Sequence, residues 1–510
     1  MATTSQIMSE NSQLEMLGHY INGQHVQDSV RSGEVYNPAT GEVIKQVAFA
    51  DAEQVDAAII AAEQGFKDWR SSSPVSRARV MFRFKELLEK NADEIIHLTV
   101  HEHGKVLEDA RGEFNRGLEI IEYACGAPEL LKGEHSMNVG GDINSWSEFH
   151  PLGVVAGITP FNFPVMVPMW MYPMAIICGN TFILKPSEKD PGPSLFIADL
   201  FKQAGLPDGV FNIVNGDSET VELLLSDNRI AAVSFVGSSN IAELIYETGT
   251  RSGKRVQALG GAKNHAVVMP DADIDNVVKS LTGAAYGSCG ERCMAISVAV
   301  CVGDETADKV VAGLTDEIKQ FKIGNGMQAG MDLGPLISSG HKNKILEYIE
   351  SGIEDGARLV VDGRNISIAG HEKGYFLGGC LFDNVTPQMK ICREEIFGPV
   401  LCIVRTSSLD EAMQVIEQNP YGNGTCIFTR DGGAANYFSE NINIGMVGVN
   451  VPLPVPVAYH SFGGWKRSLF GDLSIYGPDA IRFYTRRKTI SQRWPTGASE
   501  RAQFSFPSNK

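Results

Sequence analysis

The sequence contains no C-x-x-C pair and no H-E-x-x-H run. It therefore has neither the thiolate spacing of a structural zinc site nor the paired histidines of a zinc hydrolase, and no metal is expected. It also lacks G-x-G-x-x-G, so no dinucleotide site is announced by the usual glycine fingerprint. Positive charge is scarce: 44 lysines and arginines against 61 acids leave a net charge of −17. That balance excludes nucleic acid, which demands a basic face. Anionic small molecules stay possible, because the local field of a site can oppose the global charge. The nine cysteines are odd in number and irregular in spacing, at 125, 178, 289, 293, 301, 380, 392, 402 and 426, and read as reduced thiols rather than a disulfide framework. The opening MATTSQIMSENSQLEM has no basic stretch leading into an apolar run and no Arg-rich amphipathic pattern, so a cytoplasmic location is expected. Internal repeats, heptad tracts and low-complexity linkers are absent.

One uncharged run stands out, at 153–184. It is long enough to suggest a membrane span, but it holds prolines at 160, 164, 168 and 173. Each removes a helix donor and crowds the preceding turn. The better parse is a buried strand (154–158), a loop (159–164), a buried helix reaching 178 and a second strand (181–184). Before it, Asn22-Gly23 predicts a hairpin turn, and helical spacing predicts helices at 52–69, 77–90, 93–103 and 108–126. After it, strands at 211–214, 231–236, 256–259, 266–269, 296–302, 358–361, 400–405, 425–429 and 446–450 alternate with helices through much of the chain. Such alternation indicates βαβ units and parallel sheets covered on both faces. Segments 133–149 and 481–490 read as strands outside this pattern, of the kind that completes a neighbour's sheet.

Chemistry concentrates in YGSCGERCMA, 286–295. The glycines at 287 and 290 open conformations closed to other residues. A thiolate beside a cation is an activated nucleophile. Arg292 adjoins Cys293, which makes Cys293 the first candidate and Cys289 the second; both could equally be small core residues. In GITPFNFPVMVP, the rigid loop offers the Asn162 amide as a donor to a developing oxyanion, or as a turn former. LKPSE ends a strand where open α/β sheets bind ligands, placing Lys185 and Glu188 for a ribose or phosphate, or as a solvated pair. FVGSSN joins a strand to a helix whose first amides can face a pyrophosphate. REEIFGPV sets paired acids beside an aromatic and a Gly-Pro turn.

Taken in order, FNFP, LKPSE, FVGS, LGGAKN, GERC, EEIFGPV and FGGWKRS make the chain resemble the NAD-dependent aldehyde dehydrogenases along nearly its full length. Within them it most resembles the CoA-acylating methylmalonate-semialdehyde dehydrogenases, through GITPFNFPVMVPMWMYPMAI, GNTFILKPSE, GERCMA and VGVNVPLPVPVAYHSF. The resemblance implies an α/β fold with two doubly wound parallel-sheet domains and a small β oligomerisation arm. It implies a discontinuous NAD-binding domain (1–132 and 151–259), a catalytic domain (260–450), bridging strands (133–150 and 478–510) and a return segment (451–477). It makes Cys293 the nucleophile and Asn162 the oxyanion donor. Thr159, Phe161, Lys185, Glu188, Gly237, Ser238, Glu395 and Phe397 become the NAD-binding set, and the assembly a homodimer or homotetramer.

Two departures from the hydrolytic members bear on the reaction. Those relatives carry a glutamate where this chain has Ala258, beside Gln257, and neither residue can serve as a general base. The acyl group left on Cys293 then needs a better acceptor than water, and coenzyme A supplies a thiol. Asp472, near a second acidic position of those relatives, is the one substitute base, so a hydrolytic enzyme releasing a free acid is the alternative. Arg292 and Arg116 match carboxylate anchors, since guanidinium binds carboxylate in bidentate fashion; Arg116 could instead pair with Glu113 or Glu119. The expected substrate is methylmalonate or malonate semialdehyde, giving propionyl-CoA or acetyl-CoA.

Overall fold

The structure, a computed structural model, describes residues 14–494. Its first large sheet has a parallel core in the order Arg255–Leu259, Ile230–Val236, Val154–Ile158, Thr181–Lys185, Phe211–Ile213. Antiparallel pieces close both edges: Leu469–Phe470 at one, the hairpin His19–Ile21/Gln24–Val26 at the other. The chain enters at the central strand Val154–Ile158, builds one flank, then returns to build the other. Where it turns back, the loops after Ile158 and Val236 leave neighbouring parallel strands, a switch point beyond which open α/β sheets form their ligand crevice.

The uncharged run is the centre of this sheet. Both strands and every residue of the intervening helix Met166–Ile177 are buried, which is why no charge is tolerated there. No helix among the described residues is long and apolar enough to cross a membrane.

The second large sheet runs Arg358–Val361, Cys380–Asp383, Val400–Thr406, Ile296–Val302, Asn264–Val268, Gly424–Phe428, Met446–Val449, parallel except for its first strand. Its N-terminal edge meets the C-terminal edge of the first sheet. The rings of Phe161, just past Val154–Ile158, and Phe397, just before Val400–Thr406, lie edge to face at 6.0 Å.

Segments 133–149 and 481–490 do not stand alone as expected. Asn144–Pro151 pairs antiparallel with Thr485–Gln492 along its full length, and His135–Ser136 adds a third strand. The start of the second segment is helical, not extended: Pro478–Tyr484 forms a helix after Gly477 at φ 73°. Its buried Ala480, Ile481, Phe483 and Tyr484 have helical spacing and face helix Met166–Ile177. Residues 495–510 of the expected bridging segment lie outside the described residues.

Candidate active site

Helix Ile274–Tyr286 ends at Gly287, and the chain then turns through three left-handed residues, Ser288, Cys289 and Gly290, at φ 51°, 52° and 72°. A side chain at Gly290 would strike the Gly398 carbonyl at 2.1 Å, so only glycine allows this approach to the second sheet. The turn is pinned from outside: the Ser288 N–H donates to Asp109 Oδ2 at 2.9 Å. Cys293 follows, its carbonyl accepting from Asn264 Nδ2 (2.9 Å) and Asn423 Nδ2 (3.1 Å).

All nine cysteines are free, and Cys293 alone is not buried. The rival Cys289 is in the core, its Sγ donating to the Gly334 carbonyl at 3.0 Å, with burial holding its pKa well above the ordinary range. The Cys293 thiol is itself pushed up to about 11, first by enclosure in protein and then by the Glu395 carboxylate, while the Asn162 amide pulls the other way. Adjacency in sequence predicts that Arg292 lowers this pKa. It does not act there: its guanidinium is engaged with the Asp109 carboxylate.

Asn162 is buried on the loop between Val154–Ile158 and Met166–Ile177, and its Nδ2 donates to the Glu291 carbonyl at 2.9 Å. The loop after the central strand of the first sheet thus brings the amide against the Cys293 loop of the second.

A cavity of about 230 Å³ opens over Cys293, walled by Asp109, Glu113, Arg116, Phe163, Trp170, Arg292 and Val455, among others. The volume lies below the range of drug-sized pockets and suits a small substrate. Both anticipated arginines line it. Arg116 is not free: Nη1 pairs with Glu119 at 2.7 Å and Nη2 donates to the Pro456 carbonyl at 2.6 Å.

On the crevice side, Thr159 is buried with its Oγ1 lacking a partner, and Phe161 lies below the Lys189 ammonium at 5.0 Å. Lys185 and Glu188 are joined at 3.1 Å. Burial works against the Glu188 carboxylate, but Lys185 holds its pKa below the usual value. Ser238 precedes helix Ser239–Arg251 without bonding its first turn through its side chain. At Gly237, an added Cβ would meet the Phe235 ring at 2.4 Å. Glu395 shares a small recess with Cys293 and Phe397. Its Oε1 accepts from the Ala262 N–H at 2.9 Å, and burial raises its pKa to about 7. Phe397 has φ 60°, and its carbonyl is 2.7 Å from His341 Nε2. An unpartnered hydroxyl, a helix N-terminus and a buried acid around one crevice fit a dinucleotide.

Gln257 is committed to structure: Oε1 accepts from Ser234 Oγ (3.0 Å), and Nε2 donates to the carbonyls of Leu473 (2.8 Å) and Ser474 (2.6 Å). Asp472 is exposed and lines a different depression, with Trp465 and Lys466.

Sequence reasoning missed Asp109, although Asp109, Glu113 and Arg116 follow helical spacing on one face of Leu107–Cys125. It also missed the buried Glu291, whose pKa burial raises to about 8, and His341, which burial lowers to about 4.

A single accessible thiol, an amide donor on the loop beside it and two parallel sheets fit an oxidoreductase of the α/β class. The chain belongs to the aldehyde dehydrogenase family, matching it over residues 25–490. It is 64% identical to a malonate-semialdehyde dehydrogenase of Pseudomonas aeruginosa, across 96% of this chain and 99% of that one. Among solved structures it superposes with TM-score 0.94 on the methylmalonate-semialdehyde dehydrogenase of Oceanimonas doudoroffii (62% identity, 95% and 99% coverage). The TM-score is again 0.94 with a Sinorhizobium meliloti protein in complex with NAD, provisionally assigned the same activity (51% identity, 96% and 99% coverage).

Proposed function

We propose that the chain catalyses the NAD-dependent oxidation of methylmalonate or malonate semialdehyde and passes the acyl group to coenzyme A, with loss of CO₂. The observation that carries this reading is the cavity itself: one accessible thiol, Cys293, faces two guanidinium groups, Arg292 and Arg116. In this reading the arginines take the substrate carboxylate, Cys293 attacks the aldehyde carbon, and Asn162 donates to the oxyanion. Thr159, Phe161, Lys185, Glu188, Gly237, Ser238, Glu395 and Phe397 hold NAD, which accepts the hydride. The product on Cys293 is a thioester. Its carbonyl takes up the electron pair released when the β-carboxylate leaves as CO₂, and the α-carbon of the resulting enolate takes a proton from water. The CoA thiol attacks the acyl carbon and Cys293 departs, so one thioester replaces another. With Ala258 where a base would stand and Gln257 committed to backbone carbonyls, neither residue activates water. The first sheet carries NAD, the second carries Cys293, and the arm built on Asn144–Pro151 and Thr485–Gln492 joins copies into a homodimer or homotetramer.

A second reading rests on Glu395. It shares the recess with Cys293 and titrates near 7, so it is the acid placed to draw a proton from water in a hydrolytic reaction. One experiment separates the two. With NAD and semialdehyde but no CoA, acyl transfer gives an NADH burst of one per site that stalls until CoA is added, and the product is then propionyl-CoA or acetyl-CoA. Sustained turnover to a free acid without CoA selects hydrolysis.

A further inference from the structure

Lys105 and Glu113 form an ion pair at 2.6 Å with both side chains fully buried. Neither has a part in the chemistry above. A lysine ammonium has three N–H donors, and each of Lys105's has a target. One goes to Glu113 Oε2 and one to the Asn162 carbonyl at 2.7 Å, while the ammonium stands 4.5 Å from the centre of the Phe163 ring. Glu113 completes the grip. Its Oε1 accepts from the N–H groups of Val165 (2.8 Å) and Met166 (3.1 Å), at the start of helix Met166–Ile177, where a carboxylate is also favoured by the helix dipole. The pair therefore holds the loop on both sides of the turn that aims the Asn162 amide.

Stability alone does not call for such a pair, because apolar replacements of a buried ion pair are often as stable. Its distinctive product is geometry. An oxyanion donor works only when held close to where the oxygen will be, and a misplacement of about 1 Å can cost roughly 10²-fold in rate. We propose that Lys105 and Glu113 are positioning residues for Asn162, acting on the thiohemiacetal oxygen only through that amide. The inference rests on Asn162 being the oxyanion donor.

The test is a double-mutant cycle read in the rate of the NADH burst, with NAD affinity measured separately. Asn162→Ala is expected to slow the burst by about 10²–10³-fold, and Lys105→Met by about 10²-fold, with the NAD dissociation constant unchanged in both. The combination is expected to be no slower than Asn162→Ala alone, because a positioning residue has nothing left to position. Multiplying effects would assign Lys105 a purely structural role, and an unchanged burst in Lys105→Met would also overturn the proposal. An unchanged burst in Asn162→Ala would instead remove the oxyanion reading, a separate result. Should Lys105→Met fail to fold because Glu113 is left alone and charged, Lys105→Met/Glu113→Gln removes both charges and keeps an acceptor for Val165 and Met166. The same cycle with Asn162→Ala then decides between positioning and multiplying effects.

Discussion

Arg292 and Asp109 are joined side chain to side chain in the wall of the cavity over Cys293. The other oxygen of that carboxylate takes the Ser288 N–H. One acid on helix Leu107–Cys125 thus fixes both the left-handed turn before Cys293 and the guanidinium beside it. The pairing explains why Arg292 does not activate the thiol. It does not prevent Arg292 from anchoring substrate, since the guanidinium fork has five donors and Asp109 engages only part of it.

The carboxylate anchoring proposed for Arg292 and Arg116 predicts discrimination between substrates. A hydrogen-bonded contact to a charged group contributes about 1.5–3 kcal/mol, so Arg292→Leu and Arg116→Leu should each lower kcat/KM for the carboxylated semialdehyde by roughly 10–100-fold. Propionaldehyde, which has no carboxylate, should change by less than about threefold on the same reasoning. Steady-state kinetics on both substrates reads this directly. Equal losses on the two would make the arginines supports of the loop rather than anchors.

The thiol itself makes a second prediction. With the Cys293 pKa pushed up to about 11, the reactive thiolate is a small fraction at neutral pH. Its share grows about tenfold per pH unit until the pKa is approached. Iodoacetamide labelling of Cys293, followed by peptide mass spectrometry, should accelerate by that factor from pH 7 to pH 10. Cys289, held in the core on the Gly334 carbonyl, should stay unlabelled until the protein unfolds. A rate independent of pH over this window would mean that the thiol is already ionised.

Much of the fold was legible because its signals are local. Val154–Ile158, Ile296–Val302, Arg358–Val361 and helix Ala52–Trp69 lie where the sequence places them. The first two of these strands are near-continuous buried runs, and the helix opens on an Asp51–Gln54 capping box. The hairpin Arg31–Asn37/Glu42–Phe49 escaped notice because most of its residues are only partly buried, so no apolar alternation marks it. The helix Ser339–Glu354 escaped too, although Ser338 caps it. Its apolar residues crowd into its second half, Ile345–Ile349 and Ile353, behind an opening stretch without apolar residues (Ser339–Lys344). At the site, motifs single out Cys293, Asn162 and Glu395 as candidates, whereas their neighbours Asp109, Lys105 and His341 depend on contacts across elements far apart in sequence. A linear reading sees none of those pairings.

Glu395 should make cofactor binding depend on pH. Burial holds its pKa near 7, and only the ionised carboxylate is a pure acceptor for ribose hydroxyls. KM for NAD should therefore fall as pH rises through about 7 and level off above it. Glu395→Gln, which cannot ionise, should bind NAD more weakly than the wild type at pH 8 and show no such step. A wild-type KM that is flat from pH 6 to 8 would place the ribose elsewhere.

The buried Glu291 carries the clearest consequence for stability. Its Oε1 accepts from the Ile337 N–H at 3.2 Å, His341 Nε2 is 3.6 Å away, and Oε2 has no partner. Burial raises its pKa from 4.5 to about 8. Between those values the folded protein keeps the proton and the unfolded chain releases it, so stability falls as pH rises through the window. Glutamine at this position still accepts from Ile337 and does not titrate. Glu291→Gln should therefore gain on the wild type progressively from pH 5 to pH 8, by on the order of 3 kcal/mol at the upper end. His341, lowered from 6.5 to about 4 by burial, acts with the opposite sign below pH 6.5, but it is common to both proteins and drops out of their difference. Denaturant unfolding of the pair at pH 5, 6, 7 and 8 measures that difference. If it stays constant, the Glu291 carboxyl is ionised in the folded protein, and an opposing charge outweighs the burial that sets its titration here.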